Sequence, residues 1–373
     1  MVGADLWLFD LLDFLAEMIS QEWIAMRVCK LVGLSLILTV LTLTAGSKEP
    51  LAQSCTVTLS PGSSLLEAIE SAPSGAVICL GAGLWREGII PLKKPLTLRG
   101  SGREQTRLQA SLWTNIKRDE ELSLAIEALT LERPQGDGLL LVGRARATLT
   151  GVTIFMASDD GLDLNHEAQA TLRDVHILNS RDAGLELWDK SRLEVQQGAI
   201  TGNFDGVELF DEAQARVSGT QILANHGRGA LVDDKAQLHV VGVVVAENAW
   251  VGLTGREEAR LTLEGAQVQR NRLDGLFVLD KATALLVRTA ILGNGAAELC
   301  RQKETLCNGI TLQGEAQVEA RDSQIRENAD WGIAGMLKKC GYEEDDFKGR
   351  VSLSGTAISN NNRTGNQSGE TCY

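Results

Sequence analysis

Short runs of alternating apolar and polar residues, each closed by a bend, recur along most of this 373-residue chain. In one of them Leu185 and Leu187 point one way and Glu186 the other, the period of a half-buried strand. Beyond the first 75 residues no segment of the repeat is long enough for a helix and its turns. The runs DDGLDL, DAGLEL, FDGVEL, GRGALV, WVGLTG, LDGLFV, CNGITL and DWGIAG carry glycines at 161, 184, 206, 229, 252, 275, 309 and 332, with Gly138 of GDGLLL ahead of them. Successive spacings are 22 or 23 residues except for one of 34, where GAAELCRQKETLC is inserted.

Two further columns keep the same register. Asn203, Asn225, Asn248, Asn271, Asn294, Asn328 and Asn361 each follow an aliphatic residue three positions earlier, and acidic turns such as DKSRL, DEAQA and DKAQL follow the glycine strands. Three features locked to one period predict an all-β solenoid with about 23 residues per turn, whose rungs stack roughly 4.8 Å apart as parallel strands. Inward aliphatics then form a continuous axis, asparagines hydrogen-bond from rung to rung, and the ends need caps. Ser63–Ala72, SSLLEAIESA, reads as a short amphipathic capping helix.

The segment SSLLEAIESAPSGAVICLGAGLWREGIIPLKKPLTLRGSG, with the asparagine and glycine columns behind it, resembles the right-handed parallel β-helix proteins of the pectin-lyase-like superfamily. Within that superfamily it is most similar to the generic exported β-helix group that includes the nitrous oxide reductase copper-site maturation accessory protein. The resemblance spans roughly Cys55 to Tyr373 and implies a right-handed, single-stranded parallel β-helix. It implies little about function, since this scaffold hosts lyases, hydrolases, epimerases and adhesins.

The organisation expected is therefore a spurious extension over 1–25, a signal peptide or uncleaved anchor over 26–54, a cap and first rungs over 55–110, and repeats over 111–373. Loop insertions are expected near 295–308 and 336–349. The leader reading rests on Arg27 and Lys30 ahead of an apolar run from Leu31 to about Ala45, too short for an ordinary membrane span. Asp5, Asp10, Asp13 and Glu17 do not suit a signal peptide, which points to Met26 as the true start. Export, to periplasm, cell surface or medium, makes the six remaining cysteines disulfide partners. Pairing of sequence neighbours gives Cys55 with Cys79, Cys300 with Cys307, and Cys340 with Cys372.

A net charge of −13 and a pI near 4.9 exclude a sequence-independent nucleic-acid binder. The histidines, His166, His176, His226 and His239, show no metal-ligand spacing, and no GxSxG elbow occurs. Carboxylates are the remaining candidates. Asp159 and Asp160, Asp182 and Asp205 are expected at one corner of successive rungs, with His226 and Arg228 one rung later. Adjacent or alternate rungs would hold them at spacings suited to a retaining or an inverting glycosidase. This resembles polygalacturonases, but the Asn-Thr-Asp and Arg-Ile-Lys motifs are missing, and His226 lacks a preceding glycine.

Asp163, Glu186 and Glu208 are expected to stack outward, where a calcium ion or a shared proton would offset their repulsion, unless they splay toward Arg181 or Arg192. Trp188 and Phe210 share the next column and would stack, as a sugar platform or as cover for the turn; Trp250 and Trp331 stand alone. Two functions follow: a non-enzymatic, monomeric surface for polysaccharide or an envelope partner, or a carbohydrate-active enzyme on an acidic polysaccharide, with Asp160, Asp182 and Asp205 as acid, base or nucleophile. Complete scaffold signals and incomplete catalytic motifs favour the first. No cofactor is required by either, calcium aside, and contact with a membrane is expected only through an uncleaved leader.

Overall fold

The structure is a computed structural model that describes residues 54–300, 307–343, 345–363 and 369–373, so the expected extension and nearly all of the leader lie outside it. Residues 54–373 form one compact unit, a parallel β-helix built from three sheets. After Gly161 the chain runs through Leu162–Leu164 in the first sheet, then Gln169–Leu178, a strand that bends at Asp174 so that its halves join the second and third sheets. The next circuit lays Leu185–Leu187 on Leu162–Leu164 and Arg192–Thr201 on Gln169–Leu178, all parallel, with Asp163 beside Glu186 and Gln169 beside Arg192. The 23-residue period is thus one circuit.

The alternation read in the sequence sorts side chains to the two faces of each strand. Leu162, Leu164, Leu185, Leu187, Leu253 and Leu276 of the first sheet turn inward to meet Leu172, Val195, Val217 and Val240 of the second and Ile177, Ile200, Ile222 and Val245 of the third, all fully or almost fully buried. Burial of this kind stabilises by roughly 25 cal/mol per Å² of apolar surface. Because every layer repeats the same three-sided set, the core is continuous and has no domain boundary.

Three bends per circuit carry residues with left-handed backbone. Asp174 (φ 52°), Asn179 (φ 59°) and Asp189 (φ 58°) serve one circuit, and equivalent positions recur in the others. Non-glycine residues resist this region, Asn and Asp least because their side chains bond locally. Here they bond to the neighbouring circuit: Asp189, Asp211 and Asp234 accept the N–H of His166, Asp189 and Asp211, each at 3.1 Å. The glycine column answers a different need. A Cβ at Gly229 would strike the carbonyl oxygen of Gly252, Val245 and the amide of Asn248.

The asparagines pile up as expected. Asn248 Oδ1 accepts the main-chain N–H of Asn225 at 3.0 Å and its amide at 2.9 Å, while Asn248 Nδ2 donates to Asn271 Oδ1 at 2.9 Å and to the Ile222 carbonyl at 3.4 Å. The pattern runs from Asn203 to Asn361, and Asn203, Asn225, Asn248, Asn271, Asn294 and Asn328 are buried. The cap is helix α1, Leu65–Ser71, N-capped by Ser64, with Leu65 and Ile69 set into the first core layer. The first insertion contains helix α2, Ala297–Cys300, and the second a short turn of helix over Lys338–Cys340. All three disulfides pair sequence neighbours as expected, Cys55–Cys79, Cys300–Cys307 and Cys340–Cys372, each with Cα atoms 5.7 Å apart. They are consistent with an exported protein, and among the described residues no helix is long and apolar enough to cross a membrane.

Replacing Asn248 by Ala strands the Asn225 main-chain N–H in a dry corner and takes one partner from each of the Asn225 and Asn271 amides, which should cost about 2–4 kcal/mol. Chemical denaturation should show a smaller loss for Asn361→Ala, which lies at the ladder's half-buried end; equal losses would mean that burial does not govern the ladder.

Candidate functional site

The outward face of the first sheet gathers the acidic side chains. Two residues after each glycine, the ladder stacks Leu140, Asp163, Glu186, Glu208, Leu231 and Thr254, so the three carboxylates occupy consecutive circuits as expected. They are half-buried and do not pair with Arg181 or Arg192. Instead Asn165 donates to both oxygens of Asp163, at 2.9 and 2.8 Å, and Trp188 works against the rise that burial causes at Glu186. Trp188 and Phe210 stack with ring centres 4.1 Å apart and planes at 18°.

The residue before each glycine forms a second column of Asp137, Asp160, Ala183, Asp205 and Arg228. One oxygen of each aspartate meets the main-chain N–H one circuit later: Asp137 accepts from Asp160 at 3.2 Å, Asp160 from Ala183 at 2.8 Å, and Asp205 from Arg228. Asp160 and Asp205 are buried, which leaves their second oxygens for the carboxyl face. Asp182 is not in this column. Register is fixed by the glycine, and counting back from it places Asp182 with Asp159 and Phe204 on the outer side of the corner, since one position along a strand or bend redirects a side chain. His226 also departs from expectation: its ring is exposed and makes no hydrogen bond or ion pair among the described residues. Arg228 does join, donating to Asp205 Oδ2 at 3.0 Å while lying 5.3 Å from the Trp250 ring centre. Trp250 is not alone, because Gly227 leaves room for an edge contact with Phe204 two circuits away, 5.8 Å between centres.

Crowding this many carboxyls on a half-dry face changes their protonation. Burial first, then Glu186, Asp137, Asp182 and Asp163, push Asp160 up to about 9. Burial and a hydrogen bond that protonated Glu208 donates to Asp205 raise Glu208 to about 8, and burial with Glu186 and Asp137 raises Asp163 to about 7 against the pull of Asn165. Asp137 rises to about 6, and Glu186 and Asp182 are also raised, burial leading in each. Asp160 therefore keeps its proton beside Glu186, and Glu208 keeps its own beside Asp205, because two charges cannot occupy so small a space.

Sequence reasoning missed two members. Asp137 precedes Gly138 just as Asp160 precedes Gly161, and with Asp159 and Asp160 its oxygens lie within 4.8 Å of one another, a set that could hold a hard cation such as calcium. Asp274, in the same column, is wholly buried beneath the second insertion, where its neighbour Asn308 donates to Tyr342 Oη at 2.6 Å; burial lifts Asp274 to about 7.

Residues 115–255 match the family model described as right handed beta helix region. No curated protein matches the chain in sequence. Among solved structures the chain is similar to the A-module of mannuronan C-5 epimerase AlgE4 from Azotobacter vinelandii, at 16% identity over 79% of this chain and 92% of that chain, with TM-score 0.62. It is also similar to the periplasmic alginate epimerase AlgG, at 12% identity over 84% of this chain and 80% of that chain, with TM-score 0.54. At such identities the likeness establishes the fold.

The raised carboxyls have a consequence for stability. Their folded values lie above those of unfolded Asp and Glu, so between about pH 4 and pH 9 the folded state holds more protons, and stability falls as pH rises through that window. The slope should approach ~1 kcal/mol per pH unit for each group while it stays protonated in the fold and ionised outside it. Thermal melts should show a lower Tm at pH 9 than at pH 5, and Asp160→Asn, which keeps the acceptor for Ala183 but cannot ionise, should flatten the trend. A melting point that climbs from pH 5 to pH 9 would contradict the raised proton affinity of these carboxyls.

Proposed function

We propose that this right-handed parallel β-helix protein is a carbohydrate-active enzyme that cleaves a polysaccharide across the carboxyl face of its first sheet. The supporting observation is the stacking of Glu186 on Glu208 in adjacent circuits, with Asp160 and Asp205 behind them and the Trp188–Phe210 stack alongside. Breaking an acetal needs one group that keeps its proton at neutral pH and one that does not. Glu208, raised to about 8, is the first. Glu186, where Trp188 and Asp160 work against the rise that burial causes, is the second.

Glu186 and Glu208 are direct ladder neighbours, about 4.8 Å apart along the sheet, a spacing suited to retention. In this reading Glu186 attacks the anomeric carbon as Glu208 protonates the departing oxygen, giving a glycosyl ester. Glu208, now a carboxylate, takes a proton from water, whose oxygen displaces Glu186. Asp205, held by Arg228, and Asp160 set the protonation of the two working groups rather than reacting themselves. The paired rings offer a flat apolar surface for a sugar. The similar folds named as mannuronan and alginate epimerases support polysaccharide as the ligand class for such a scaffold.

A face with this many carboxyls and one engaged arginine favours a neutral sugar at the point of cleavage over an acidic one. The second reading, a non-enzymatic polysaccharide-binding surface, is favoured by the scaffold bonds of Asp137, Asp160 and Asp205, which explain those residues without chemistry. Incubation of the protein with neutral and acidic polysaccharides, with and without calcium, should release new reducing ends from a neutral chain. Glu208→Gln and Glu186→Gln should each lower that rate at least about 100-fold while leaving glycan binding intact. Binding without cleavage of any chain in the panel would favour the non-enzymatic reading.

A further inference from the structure

The bend that leads into the second sheet carries a charged residue two positions before each strand, and its sign alternates without a break. The row runs Glu167, Lys190, Glu212, Lys235, Glu258 and Lys281 and continues through Glu315 to Lys348, all of them exposed. The strands that follow stack in register from Gln169 to Arg350, so successive members lie one strand spacing, about 4.8 Å, apart. Within one copy neighbours in the row face each other, and Lys190 and Glu212 lie 3.9 Å apart. Exposed pairs of this kind add little to the stability of a single molecule. The acidic column one residue earlier has a separate duty, since its carboxyls accept the N–H of the adjacent circuit at the bend.

Strict alternation makes the row complementary to its own reverse. A copy turned end for end about an axis that passes between two circuits sets every Lys of the row against a Glu. With that axis between Lys235 and Glu258, Lys235 meets Glu258, Glu212 meets Lys281, and Lys190 meets Glu315. The first outward column of the second sheet, which from Gln169 to Arg350 holds only Arg, Gln and Thr, obeys the same operation. Arg260 meets Gln237 and Arg192 meets Gln317, so no arginine faces another. In the two outward columns beyond, the single like pair is Glu194 with Glu319, and each is already engaged, Glu194 by Gln196 at 2.7 Å and Glu319 by Arg321 at 2.6 Å. Near the centre Leu285 and Val287, half-buried and apolar, meet Arg216 and Ser218.

We propose that a second copy of this chain docks on the outward face of the second sheet, the two solenoids lying side by side and antiparallel in an isologous dimer. An axis that passed through a circuit would set like charge on like, and an axis along the solenoid would do the same, so the row selects the antiparallel arrangement. Eight circuits by a strip about 20 Å wide give roughly 750 Å² on each copy, the size of a stable specific interface. Troughs of about 520 and 390 Å³ beside Arg260 leave room for the partner's long side chains. The interface lies on a different sheet from the carboxyl face and does not rest on the reaction proposed there.

Sedimentation velocity of the full chain over about a hundredfold range of concentration should show a monomer passing to a dimer, with weaker association at high salt. Lys190→Glu/Lys235→Glu/Lys281→Glu makes the row wholly acidic, and Glu212→Lys/Glu258→Lys/Glu315→Lys makes it wholly basic. Each variant alone should stay monomeric, while an equimolar mixture should form a heterodimer at least about tenfold tighter than either variant's self-association. Both variant chains remain acidic overall, so net charge does not favour the mixture. Circular dichroism checks that both are folded; if either is not, Leu285→Arg, which sets a cation against Arg216 and leaves the row intact, should weaken the wild-type dimer by about tenfold. A wild-type chain that stays monomeric throughout, variants that dimerise as the wild type does, or a mixture that fails to associate would overturn the assignment. Glu208→Gln should dimerise as the wild type does, so failure of the cleavage proposal and failure of this one are separable.

Discussion

Everything in this molecule depends on each circuit satisfying the buried polar groups of the one beside it. A solenoid turn has no partner of its own for its corner N–H groups, and at three bends per circuit the backbone adopts a left-handed conformation that most residues resist. Asn248 supplies the missing acceptor to Asn225 and borrows one from Asn271; Asp211 does the same for Asp189. These side chains replace, corner by corner, the ladder bonds that strands supply along the sheets. Stability is therefore close to a sum over neighbours, which is why the ends carry α1 and disulfides.

The same rule creates the acidic face. An aspartate before the glycine is a scaffold device, since one oxygen accepts the next circuit's N–H, but its other oxygen is left for further partners, as Asp205 shows by accepting from Arg228. Where the outward column two residues beyond the glycine is also acidic, at Asp163, Glu186 and Glu208, two sets of carboxyls meet and burial raises their proton affinity. Where it is Leu231 or Thr254, as in the following circuits, no such cluster forms. Repetition provides the positions, and a local change of residue type at a few of them provides the chemistry.

Repetition also separates charges by face. The second sheet presents arginine and glutamine at one ladder position, next to a column of alternating lysine and glutamate whose members offset one another, as Lys190 and Glu212 do at 3.9 Å. An overall acidic chain thus has an acidic face and a face on which Arg192, Arg260 and Arg350 form no ion pair among the described residues, a division that net charge alone conceals.

The sequence by itself determined the period, the inward aliphatic axis, the asparagine ladder, α1 and the disulfide pairing, because each depends on spacing along the chain and stacking converts spacing directly into contact. Trp188 against Phe210, and Asp163 beside Glu186 and Glu208, were legible for the same reason. What only the tertiary structure decided depends on direction and depth. It moved Asp182 to the outer side of the corner and left the His226 ring in solvent. It brought in Asp137 and Asp274, joined Trp250 to Phe204, and turned isolated acidic letters into carboxyl pairs that hold a proton. A bend of one residue redirects a side chain, and the burial that raises a carboxyl's proton affinity comes from circuits on both sides, so neither quantity is written in any single repeat.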